Sequence, residues 1–113
     1  MSDAHTAAAN RVARRLETLK ELYRHGEASG LIERTLDKLL IYEADVCRTQ
    51  LRQLLTDLVE FEQRYGLSSD EFYARFKSGQ IDDRMDYVEW ASLVQMRDSL
   101  QKRLQLLEGE GPG

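Results

Sequence analysis

Five carboxylates hold the densest chemistry in this sequence. Asp57 and Glu60 stand three residues apart, and Asp83, Asp86 and Glu89 repeat that interval further on. A step of three keeps side chains on one face of a helix. Two such sets on facing helices could hold Mg²⁺, a hard cation that takes several oxygens. The later set, extended by Asp82, could equally form an acidic surface for a basic partner. Asp57 and Glu60 fall off the apolar stripe of Leu54, Leu58 and Phe61 and should face water. The remaining catalytic inventory is thin. His5 and His25 are the only histidines, one expected in a loose start and the other beside Gly26, both as surface residues. Cys47 has no histidine near it in sequence and reads as a small packed hydrophobe. There is no Cys-x-x-Cys, His-Glu-x-x-His or Gly-rich phosphate loop, and no Gly-x-Ser-x-Gly. No catalytic, metal or cofactor residue is therefore assigned, and the chain is read as a non-enzyme.

The elements that must position these side chains are helices. The run 31–65 contains neither Gly nor Pro. Its apolar residues Leu51, Leu54, Leu58, Phe61 and Tyr65 return at steps of three and four. One helix over 31–65 would be about 50 Å long at ~1.5 Å per residue, and its seam needs covering. Leu39, Ile41, Tyr42 and Val46 widen the apolar surface at its centre, which suits more than one partner. A first helix is expected over 7–25, with Val12, Leu16, Leu19 and Tyr23 as its stripe and Gly26 as its C′ residue. A short turn should make these two helices antiparallel neighbours, with Ser29 a candidate N-cap.

Gly66 should end the long helix. Ser68 with Glu71 fits a capping box, which predicts a short third helix over 69–77, ended by Ser78-Gly79. Phe72 and Phe76 are spaced to share its inner face. A fourth helix is expected over 84–107, capped by Asp82 or Asp83, with Leu93, Met96, Leu100, Leu104 and Leu107 as its stripe and Val88, Trp90 and Val94 broadening its first turns. Residues 1–6 and 109–113 are expected as disordered tails.

Composition agrees with an all-α fold. The 113 residues include one Pro, seven Gly and 32 % charged residues, too few β-branched residues alternating for a sheet. The chain is read as a single helical domain over 1–113. No apolar run approaches the ~18 residues a membrane span needs, and one cysteine fits a reducing cytoplasm. The formal net charge of −4 argues against nucleic-acid binding by the chain alone. The charge is uneven, basic around Arg11, Arg14, Arg15, Lys20 and Arg24 and acidic later.

The residues from Glu62 to Phe72 read Glu-Gln-Arg-Tyr-Gly-Leu-Ser-Ser-Asp-Glu-Phe, followed by Phe76, Gly79, Asp82-Asp83 and Glu89-Trp90. This pattern resembles a family of small helical bacterial and archaeal proteins encoded beside toxins of the TumE type. The resemblance covers about a quarter of the chain and implies the antitoxin of a toxin–antitoxin pair. The matching positions are Tyr65, Gly66, Phe72, Phe76, Gly79, Asp83, Glu89 and Trp90. The expectation is an all-α antiparallel hairpin or bundle, self-associating through its long helix, that neutralises a toxin by direct binding. Asp82, Asp83, Asp86 and Glu89 would face a basic surface, with Tyr87 or Trp90 as the apolar anchor. Neither a membrane nor nucleic acid is expected as a partner. The alternatives are a coiled-coil adaptor, a DNA-binding regulator using Arg11, Arg14, Arg15 and Arg24, and a Mg²⁺-dependent hydrolase. The last would be similar in outline to all-α nucleotide pyrophosphohydrolases, which pair Glu-x-x-Glu and Glu-x-x-Asp motifs on neighbouring helices.

Overall fold

The structure, a computed structural model, describes residues 2–26 and 29–109, with side chains from residue 6 onward. Four helices follow one another: α1 (Ser2–Arg24), α2 (Gly30–Tyr65), α3 (Ser69–Lys77) and α4 (Met85–Gly109). No strand occurs among the described residues, so the fold is all-α. No helix is long and apolar enough to cross a membrane.

Two of the expected tails are shorter than anticipated. Helix α1 already includes Ser2 to Thr6, because Ala7–Ala9 are strong helix formers and a helix, once nucleated, propagates cheaply. Helix α4 continues through Gly109, where Glu108 pairs with Arg48. Met1, Glu27, Ala28 and residues 110–113 lie outside the described residues, as do the rest of the tail expectation and part of the expected turn.

The chain divides into two compact units, Met1–Leu39 and Leu40–Gly113, where the sequence reading has one domain. The boundary falls inside α2. In the first unit, Leu19, Leu22, Ile32 and Leu36 are half-buried, while Val12, Leu16, Tyr23, Leu31 and Leu39 stay exposed. No large side chain in that unit is fully buried among the described residues. Gly26, with φ +74°, takes the left-handed conformation expected of it at the end of α1.

The second unit contains the core. Contacts along its two long helices run in opposite directions: Tyr65 meets Tyr87, Phe61 stacks on Trp90 and the Cys47 thiol donates to the Leu100 carbonyl at 3.2 Å. This is the expected antiparallel hairpin. Cys47 is buried and packed, as a small hydrophobe on the inner face should be. Ala44, Leu54, Leu58 and Phe61 share that face.

Helix α3 is fixed at both ends by local chemistry. Gly66, at φ +65°, donates its N–H to the Glu62 carbonyl at 2.8 Å, the left-handed cap that stops α2. The Ser68 hydroxyl then accepts from the Glu71 N–H at 3.1 Å. Half of the expected capping box is present: the Glu71 carboxylate reaches forward to Arg75 at 2.7 Å instead of back. Glu62 supplies another anchor, its carboxylate accepting the Ser69 N–H at 2.8 Å, where an anion also suits the positive end of the helix. At the far end Gly79 sits at φ +80°. Its N–H bonds Phe76 and that of Gln80 bonds Arg75, at 3.2 and 2.9 Å, the paired bonds of a Schellman motif.

Candidate functional site

The aromatic end of the second unit sets the geometry of the acidic residues. Phe72 lies flat on Trp90, with ring centroids 3.8 Å apart and planes 4° from parallel. Phe61 and Tyr65 flank the indole at 5.6 and 5.7 Å. Trp90 and Phe72 are both 0 % exposed, and burying side chains of this size contributes roughly 1.5–3 kcal/mol each. The indole N–H donates to the Ser69 hydroxyl at 2.9 Å, which satisfies the one polar atom of the ring inside the core. Trp90 is therefore a core residue that locks α3 onto α4. Its expected role as an apolar anchor for a partner is corrected here: a ring with no exposed surface has nothing to present.

Of the other expected binding residues, Asp82 and Asp86 are occupied within the molecule. The Tyr65 hydroxyl donates to Asp86, and Arg64 reaches the same carboxylate at 3.1 Å. The phenol first and then the guanidinium hold Asp86 below the ordinary carboxylate range. The same hydrogen bond pushes the Tyr65 phenol up. Asp82 accepts from the Arg84 guanidinium and from the Arg84 backbone N–H, both at 3.1 Å, and its pKa is lowered by them. Asp82 thus folds the link onto itself. Asp82 thereby spends its carboxylate before α4 begins, and the helix opens with the Arg84 carbonyl accepting from Tyr87 and Val88 at 3.0 Å.

Asp83 and Glu89 are different. Both are exposed, and among the described residues neither has an ion-pair partner. Tyr87, between them in sequence, is half-exposed, its ring edge against Tyr65 at 5.1 Å and the Arg84 guanidinium over its face at 4.7 Å. The structure leaves Asp83, Glu89 and Tyr87 as the available part of the expected acidic surface.

The carboxylates considered for Mg²⁺ are not assembled. Asp86 is taken by Tyr65 and Arg64, while Asp57 receives a hydrogen bond from Gln53 at 3.3 Å. No group of three or more His, Cys, Asp or Glu able to hold a metal occurs among the described residues.

Sequence reasoning placed Leu93, Met96, Leu100, Leu104 and Leu107 on the buried stripe of α4. The structure moves the centre of that face: Leu104 and Leu107 are half-buried, and the fully buried residues lie where Trp90 and Val94 broaden the stripe. Trp90, Ala91 and Val94 form its buried face, because α3 packs on α4 and the indole must reach Ser69. Met96 is 53 % exposed, and Leu93 and Leu100 are half-buried. These residues line a groove between α2 and α4 of about 710 Å³, with Leu54 on the α2 wall. Gln50, Gln53, Ser92, Gln95 and Ser99 border it, and Asp57 is the one charged residue among its ten lining residues. A signal was available in the sequence: residues 90–96 carry no charge, in a chain that is 32 % charged.

No family model, curated protein or solved structure matches this chain.

Proposed function

We propose that this chain is a non-enzymatic protein-binding module that neutralises a toxin by direct contact. Asp83 and Glu89 meet a basic surface on the partner, and Tyr87 supplies the apolar contact. One observation carries the reading: among the described residues these two carboxylates are exposed and unmatched. Their neighbours Asp82 and Asp86 are already neutralised from within. The sequence pattern from Glu62 to Trp90 supports the choice of partner. The buried Trp90–Phe72 stack supports a rigid base for α4, so Glu89 and Tyr87 are presented from a fixed helix, which favours affinity. Complementary charge speeds encounter and excludes wrong partners more than it adds affinity.

The test is co-expression with the product of the adjacent gene. A toxic product rendered harmless by this chain supports the reading. A harmless product, or a toxic one that this chain does not relieve, rejects it.

A second reading, a structural adaptor that joins copies of itself, is favoured by the open groove between α2 and α4. The two readings are compatible, since Asp83 and Glu89 lie outside the groove lining.

A further inference from the structure

We propose that the face of α1 formed by Arg11, Arg14 and Arg15 binds the phosphate backbone of duplex DNA without reading its sequence. The inference concerns the first unit alone and does not depend on toxin binding.

The chain has 20 acidic residues, yet residues 4–16 hold three arginines and no acid. Steps of three and four put Arg11, Arg14 and Arg15 on one side of α1, with Ala7 and Thr18 before and after them. All of these side chains are exposed. Like charges at this spacing repel within a helix. Nothing local relieves Arg11 or Arg15, since the residues three and four positions from each are Ala, Val, Thr, Leu or Arg. Among the described residues none of the three arginines has an ion-pair partner, whereas Arg48, Arg64, Arg75, Arg84 and Arg97 each hold a carboxylate. Arg24, grouped with them in the sequence, pairs with Glu21 at 3.4 Å and drops out. The net charge of −4, which argued against nucleic acid, averages over two different units. Residues 1–39 carry seven Lys and Arg against six Asp and Glu, while residues 40–113 carry nine against fourteen.

The composition of this face selects the partner. A protein interface is depleted of charge at its centre, and here charge is the centre. A lipid surface takes up large apolar side chains from the docking face. The ones that α1 exposes, Val12, Leu16 and Tyr23, follow a separate stripe. Interfaces with DNA are polar and strongly positive. All three cations are arginine, whose planar fork fits phosphate oxygens in pairs. Ala7 and Thr18 are small, so the helix can lie close against a strand. Phosphate contacts carry no sequence information, so any duplex should serve.

The experiment follows the fluorescence anisotropy of a labelled random duplex of about 20 base pairs, titrated with the full chain over a salt series. Three phosphate contacts give a slope of about −2.7 in log affinity against log salt, so wild type should bind roughly 40-fold more weakly at about 200 mM salt than at about 50 mM. Arg11→Gln/Arg14→Gln/Arg15→Gln should bring that slope close to zero and weaken binding at about 50 mM salt by roughly tenfold or more. Gln is a good helix former and the three positions are exposed, so the circular dichroism should match wild type. Lys102→Gln/Arg103→Gln removes two exposed charges from α4 and should leave the slope unchanged. No binding by wild type at about 50 mM salt overturns the proposal, and so does a triple variant that keeps the wild-type slope. An α4 variant that loses as much slope as the triple one overturns the assignment to α1. Binding to phosphatidylserine vesicles but not to the duplex gives the face to lipid and overturns it as well.

Discussion

The hydrogen bond from the Trp90 indole to Ser69 can be weighed by a double-mutant cycle. Both groups are buried, at 0 % and 1 % exposure, and the bond is 2.9 Å long. Ser69→Ala leaves the indole N–H in the core without an acceptor, which costs about 1–3 kcal/mol. Trp90→Phe leaves the Ser69 hydroxyl without its donor, a comparable cost, and also shrinks the ring that Phe72 covers. The double variant has lost both polar groups, so it has no orphan to desolvate. It should therefore be less destabilised than the sum of the two single variants by about 1–2 kcal/mol. Urea unfolding followed by circular dichroism measures all four proteins. A parallel melting series should show about 4–8 °C per kcal/mol for a unit of this size. Strict additivity would refute the reasoning, because the two groups would then not depend on each other and the lock between α3 and α4 would be ring packing alone.

Two further predictions concern the same end of the molecule. Gly66 sits at φ +65° with nothing within 4 Å of an added Cβ, so Gly66→Ala should destabilise by about 1–2 kcal/mol through backbone strain alone. Unfolding midpoints equal to wild type would contradict the left-handed cap. Asp86 is held below the ordinary carboxylate range by Tyr65 and then Arg64. A lowered folded-state pKa contributes stability that is present above the unfolded value of about 3.9 and is lost as pH falls through the folded value. The Tyr65 phenol is raised, so its share is present below about 10 and is lost as pH rises through its folded value. Asp86→Asn should therefore flatten the acid limb of the stability profile. A variant whose acid limb matches wild type would remove Asp86 from the linkage.

How much of this was legible in the residues depended on whether local or tertiary forces decided each point. The ends of α3 were readable because Gly66, Ser68 and Gly79 act on their own backbone neighbours. The inner face of α2 was readable because Leu54, Leu58 and Phe61 repeat at helical spacing with little competition. Helix α4 was harder, since apolar residues surround much of it and periodicity alone does not choose a face. The choice is made by Trp90, whose ring packs beneath α3 and whose N–H finds Ser69. That contact joins residues 21 positions apart, beyond what a local pattern conveys. For the same reason Trp90, legible as part of the apolar face of α4, was also offered as a surface anchor, and Met96 was misplaced in the core. The acidic run Asp82 to Glu89 was visible as a cluster, but its partition was not. Arg84 neutralises Asp82 from next door, whereas Arg64 and Tyr65 reach Asp86 from the end of another helix.

The central claim is that Asp83 and Glu89 form the contact by which this chain binds a basic protein. Titration calorimetry with the purified product of the adjacent gene tests it most directly, comparing wild type with Asp83→Lys/Glu89→Lys. Reversing both exposed charges should leave the helical content unchanged and weaken binding by roughly 10- to 100-fold, with the difference shrinking as salt is added. Affinity unchanged by the double reversal, or no complex with wild type, would contradict the account.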